Sequence, residues 1–165
     1  MANKKDKNRF YFNKDFLGSP EGRSVRILSE YYGPLKNIKK NKINDTIVFF
    51  GSARIKSEQE AKKILTNLND SASDQVRKKA QKDVEMSKYY EDARKLAKKL
   101  TTWSKELDNK KSRYIITSGG GGGIMEAANR GAKEANGISV GLTISLPFEA
   151  TSNEYISKGL DLKFH

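Results

Sequence analysis

The chain has 165 residues, sized for one domain, with 32 basic and 20 acidic side chains, no cysteine, and one histidine, His165, at its last position. Disulfides, thiolate metal sites, a cysteine nucleophile and histidine-based metal or triad chemistry are therefore excluded within these residues. None of the net charge of +12 falls in residues 113–165, which carry five basic and five acidic groups.

The basic excess is mostly lysine spread along polar helix faces. That pattern argues for a solvated surface and against a nucleic-acid partner, whose reader would mix arginines with stacking aromatics. No run approaches the roughly 18 apolar residues of a membrane helix, and the lysine-rich start lacks a signal-peptide core. A cytoplasmic location without a membrane partner is the expectation, and no cofactor or metal is called for.

Residues 1–14 are polar apart from Phe10, Tyr11 and Phe12, and read as a loose tail that docks through those aromatics. Ser19 as N-cap and Pro20 at the first helical position start a helix through Val25, Ile27, Leu28, Tyr31 and Tyr32, ended by Gly33 and Pro34. Arg23 and Arg26 are within reach of a ligand anion or simply on the surface. A basic linker fills residues 36–44, so residues 1–44 form a helical lead-in and 45–165 the main domain.

The run Thr46-Ile47-Val48-Phe49-Phe50 is apolar without alternation, which reads as a central strand covered on both faces of a parallel sheet. Gly51, Ser52, Ala53 and Arg54 follow at its C-terminal end, where open α/β sheets place ligands. Ser52 is a candidate donor to a phosphate or ribose, and Arg54 a candidate phosphate partner. The alternative is a plain turn with Ser57 as the next N-cap.

A short helix is expected over residues 57–69 and a long one over about 74–108. The long helix carries a stripe of Val76, Ala80, Val84, Ala93, Leu96, Ala97, Leu100, Trp103 and Leu107 read as core. Glu91 and Lys95 are spaced as an i,i+4 pair. Trp103 reads as packing, and nothing in this helix suggests chemistry.

Residues 113–117 form the second expected strand, and then come Ser118 and five glycines, 119–123. Ile124, Met125, Ala127, Ala128 and Ala132 open a helix through about residue 135, capped by Asn136 and Gly137. Strand, glycine loop and helix N-terminus form a phosphate-binding geometry: first-turn N–H groups point outward, the dipole is positive, and glycine lets a ligand sit on the backbone. A flexible turn would need one or two glycines, not five. Neither common fingerprint fits. Ile124 follows where a P-loop needs lysine, and no frame gives a full G-x-G-x-x-G. The candidate nucleotide contacts are Ser52, Arg54, Gly119, Gly120, Gly121, Gly123 and Met125.

A third strand is expected over residues 138–146, a loop or short helix over 148–157, and the start of a fourth strand from residue 159. The fold class expected is α/β, a Rossmann-like parallel sheet with flanking helices. With three to four strands the sheet is incomplete, and either the chain is a fragment or another copy covers an exposed apolar edge.

Three stretches, FFGSAR at 49–54, SGGGGGIMEAANRGA at 118–132 and VGLTISLPFEATSNEY at 140–155, resemble the LOG family, formerly described as lysine decarboxylase-like. SPEGRSVRILSEY at 19–31 is similar to its longer bacterial branch, so the likeness covers most of residues 15–165. The resemblance implies a Rossmann-like nucleotide-binding fold, a homodimer, and hydrolysis of the N-glycosidic bond of nucleoside 5′-monophosphates. The substrates implied are AMP or cytokinin riboside monophosphates, and the products free base and ribose 5-phosphate. The chain departs from the family pattern in two places. Gly122 stands where the loop usually has proline, and the second signature, PGGxGTxxE with its preceding arginine, has no counterpart and would lie beyond His165. That signature's glutamate and arginine carry the catalytic role in the family, so no catalytic residue is assigned here, although Glu126 and Glu149 are the nearest carboxylates. The alternative expectation is an inactive nucleotide-binding module or an assembly partner of an intact relative.

Overall fold

The computed structural model describes residues 9–107, 113–144 and 152–164. It divides into two compact units, the first ending at Lys40 and the second starting at Asn41.

In the first unit a single 3-10 turn, Phe10–Phe12, leads into α1, Lys14–Gly18, and α2, Arg23–Lys40. Residues 9–13 are thus not a loose tail. Asn13 caps α1 by accepting from the N–H groups of Asp15 (3.0 Å) and Phe16 (3.1 Å), and Phe10 meets Phe16 edge-on at 5.3 Å. Two expectations about the helix are corrected. Ser19 does not cap it but closes the preceding turn, accepting from the Gly22 N–H at 3.3 Å, and α2 starts at Arg23. Nor does the helix stop at Gly33 and Pro34: it runs through Pro34, so residues 36–40 of the expected linker are helical. The proline removes one backbone hydrogen bond at a cost of about 3 kcal/mol. Leu35 and Lys36 after it and the basic last turn of Lys39 and Lys40 favour continuation. Arg26 donates to the carbonyls of Leu17 and Ser19, which ties α2 back to the turn before it.

The second unit is built on four parallel strands, β1 Thr46–Phe49, β2 Ile115–Ser118, β3 Ser139–Ile144 and β4 Asp161–Phe164, adjacent in that order. Thr46 lies opposite Ile115, Ile116 opposite Ser139, and Gly141 opposite Asp161. Between them come α3, Glu58–Thr66, α4, Asp74–Glu106, and α5, Ile124–Glu134. Ser57 and Ser73 cap α3 and α4, accepting from the N–H groups of Glu60 and Val76. α5 ends where Asn136 takes φ 53° and the Gly137 N–H donates to Ala132 O at 3.0 Å.

A parallel sheet that always steps the same way, with right-handed crossovers, carries its helices on one face. On that face Ala97 of α4 and Ala128 and Ala132 of α5 pack on Ile116, with Ile47, Phe49 and Leu100 around them. The alanines bring backbones together. At Gly131 the approach is closest, because a Cβ there would lie 2.1 Å from the Arg94 carbonyl oxygen.

Three expectations change in this unit. First, β1 is an edge strand, not a central one: Val48 is 64% exposed and Phe50 98%. The sheet grows from β1 in one direction only, so its other side has no strand among the described residues.

Second, the buried face of α4 is Ala80, Ser87, Tyr90, Ala97 and Thr101, whereas Val76, Leu96 and Trp103 of the expected core stripe are exposed. Contact with α5 selects the face on which Tyr90 sits among small side chains, and Trp103 instead packs against Tyr114, ring centroids 5.0 Å apart. Third, Glu91 pairs with Arg94 (2.8 Å) rather than Lys95, because Arg94 bridges to Glu134 of α5 at 2.7 Å.

The expected third strand is β3 over its described part, and residues 145 and 146 lie outside the described residues, as do Glu149 and His165. Among the described residues no helix is long and apolar enough to cross a membrane.

Candidate nucleotide site

Beyond the C-terminal ends of β1 and β2, the turn after β1 and the glycine loop before α5 lie against each other. The Ile124 N–H donates to Ser52 O at 3.0 Å, and a Cβ on Gly123 would sit 2.2 Å from that oxygen. Gly123 takes φ 64° and Gly120 φ 78°, conformations that side chains disfavour. The Ser52 hydroxyl accepts from the Arg54 N–H at 3.1 Å and shapes the turn from within.

The first three glycines are packed by protein. A Cβ on Gly119 would meet the Met125 sulfur at 2.5 Å, one on Gly120 the Thr143 hydroxyl at 2.3 Å, and one on Gly121 the Met125 methyl at 3.0 Å. A polar network grips the same segment. The Asn153 amide donates to the carbonyls of Gly120 (3.0 Å) and Gly121 (2.9 Å) and to Asn129 Oδ1 (3.0 Å). Ser118 donates to the same Asn129 oxygen at 2.7 Å and accepts from the Gly120 N–H at 3.3 Å. Asn129 is fully buried and donates to Val140 O at 3.4 Å, which anchors the network to β3.

The last two glycines border a cavity of about 520 Å³ walled by the turn after β1, α3, α4 and the first turn of α5. Its polar groups are Arg54, Lys56, Glu60, Lys79, Asp83, Tyr90 and Glu126. Lys56 and Asp83 approach each other at 3.9 Å, while Arg54 and Lys79 make no ion pair among the described residues. The N–H groups of Met125 and Glu126, in the first turn of α5, have no acceptor among the described residues. Two open cations and a helix N-terminus make this wall fit for an anion.

Lining the same cavity, Tyr90, only 1% exposed, donates its hydroxyl to Glu126 Oε1 at 2.6 Å. Burial, and then the adjacent carboxylate, push the Tyr90 hydroxyl far above the usual tyrosine range, although Arg130 pulls it the other way. Hydrogen bonding to Tyr90 holds the Arg130 guanidinium above its ordinary value, and that guanidinium also lies 5.6 Å over the Tyr155 ring. Among the described residues no cluster of histidine, aspartate and glutamate could hold a metal ion.

Of the expected contacts, Arg54 and Gly123 line the cavity, and Ser52 acts through the turn that carries Arg54. Gly119, Gly120, Gly121 and Met125 sit in the packed half of the loop. Lys79, Tyr90 and Asn129 escaped the sequence reading. Tyr90 shares a face of α4 with Ser87, Ala97 and Thr101, a face lacking the large aliphatics that mark a core stripe. Asn129 had a signal in its position: it is a polar residue inside the small-residue run Ala127, Ala128, Gly131, Ala132.

Residues 90–163 match the SLOG cluster4 family model. No curated protein matches the chain. From the middle of α4 to β4, taking in the glycine loop and its asparagine network, the chain is thus similar to the SLOG cluster4 family, a nucleotide-related module of the superfamily that includes LOG-like proteins.

Proposed function

We propose that the cavity beside Gly122 and Gly123 binds nucleoside 5′-monophosphates and serves the LOG-type reaction, in which water replaces the base at the ribose anomeric carbon. The C–N bond breaks, and free base and ribose 5-phosphate leave. The observation that carries this reading is the convergence of the open first-turn N–H groups, Arg54 and Lys79 on one cavity of nucleotide size. The phosphate lies on the loop and helix start, and the two cations balance its charge. A homodimer belongs to the same proposal.

A second reading, binding without turnover, needs nothing beyond the open first-turn N–H groups, Arg54 and Lys79 that line the cavity. The 165-residue chain is incubated with AMP, and ribose 5-phosphate release and thermal protection are followed together. Protection by AMP is expected under either reading, about 2.7 kcal/mol at a hundredfold excess over Kd. Release above the no-enzyme control establishes hydrolysis, protection without release establishes binding alone, and neither removes both.

A further inference from the structure

Glu126 has a task in the cavity that anion binding does not explain. One of its carboxylate oxygens accepts a hydrogen bond from the Tyr90 hydroxyl at 2.6 Å, and the other has no partner among the described residues. Glu126 makes no ion pair there either, although Arg54 and Lys79 line the same space. A carboxylate facing a cavity accepts hydrogen bonds and donates none, so whatever fills the space next to it must bring donors. Anionic oxygens are met instead by Arg54, Lys79 and the open N–H groups of the first turn.

Glu126 lies in the first turn of α5, so its carboxylate hangs from the same turn whose N–H groups are open. A pentose phosphate bridges such a pair of groups, with anionic oxygens at one end and vicinal hydroxyls at the other.

We infer that Glu126 reads the vicinal hydroxyls of a ribose 5-phosphate group, and that Tyr90 is the positioning residue that aims its carboxylate. The inference rests on the nucleotide reading of this cavity and adds the sugar specificity. Tyr90 suits the role because it is anchored in the α4–α5 contact and stays protonated, so it donates to one oxygen and leaves the other for the ligand. A site built to hydrogen-bond a hydroxyl rejects the analogue that lacks it, because its acceptor is then left unpaired.

The test compares ribose 5-phosphate, 2-deoxyribose 5-phosphate, AMP, dAMP and inorganic phosphate as ligands of the full 165-residue chain, by calorimetry. The wild type is expected to prefer each ribo ligand over its deoxy partner by about tenfold or more, as a hydrogen bond to a charged group implies. Glu126→Gln, which keeps the shape and the bond from Tyr90, is expected to abolish that preference without lowering the affinity for inorganic phosphate.

Tyr90→Phe is expected to shrink the preference severalfold with unchanged phosphate affinity, a ratio that a purely structural role would not move. Comparison of AMP with ribose 5-phosphate tells whether the occupant is a nucleotide or the free sugar phosphate. Equal binding of ribo and deoxy ligands by the wild type, or a preference that survives in Glu126→Gln, overturns the inference and leaves the nucleotide site standing. Absence of binding by all five overturns both.

Discussion

Residues 119–123 are five identical amino acids with two different jobs. Gly119, Gly120 and Gly121 are seats for Met125, Thr143 and Asn153, where a Cβ would strike a side chain or the backbone is clamped by an amide. Gly122 and Gly123 turn toward the cavity, one with only ordinary contact at its Cβ position and the other pressed on Ser52 O. The difference teaches that a glycine loop is not uniformly a ligand surface. Part of it is absent side chain that lets the protein close on itself, and only the rest lets a ligand approach.

The strongest test of this division is Gly123→Ala. It combines a positive φ with a Cβ 2.2 Å from a backbone oxygen that cannot swing away, so a loss of about 2–4 kcal/mol is expected in urea unfolding. Asn129→Ala strikes the clamp on the first half of the loop. It leaves Ser118 and Asn153 without their shared buried acceptor, and about 2–3 kcal/mol is expected to go, with faster amide exchange at Gly120 and Gly121.

The cavity wall has a pH signature. Tyr90 is held protonated in the fold, with a pKa raised above that of the unfolded chain, so above about pH 10 the unfolded state loses its proton first. Stability contributed by this group is complete below pH 10 and falls as pH rises, by at most about 1.4 kcal/mol per unit. Unfolding free energies between pH 9 and 11 should show a shallower decline in Tyr90→Phe than in the wild type. An identical decline would mean that other groups set it. The smallest effect is expected at Gly122→Ala, whose Cβ would stand 3.4 Å from Ala53 O in ordinary contact. A change within about 0.5 kcal/mol is expected, and a larger one would erase the contrast with Gly123.

Much of the fold was legible in the residues themselves. Four apolar stretches separated by helical patterns gave a parallel α/β sheet, and strand, loop and helix at 115–134 were placed within a residue or two. Local chemistry suffices there, because glycines, caps and apolar runs act over a few residues. The misreadings share a cause in long-range contact. Val48 and Phe50 look central by composition, yet strand order leaves them at an edge. Leu96 and Trp103 look like core, yet α5 packs on the neighbouring face of α4, where Tyr90 lies. Pro34 looks like a stop, yet α2 continues through it.

By itself, then, the sequence determined the α/β class, the lack of cysteine and of internal histidine within these residues, and the presence of a glycine loop at a helix N-terminus. Tertiary structure decided which glycines pack and which face a cavity, which face of α4 is buried, and that Tyr90 meets Glu126 across 36 positions of chain. Periodicity and turn chemistry are fixed by neighbours in sequence, whereas a cavity exists only where separate elements pack and leave space between them.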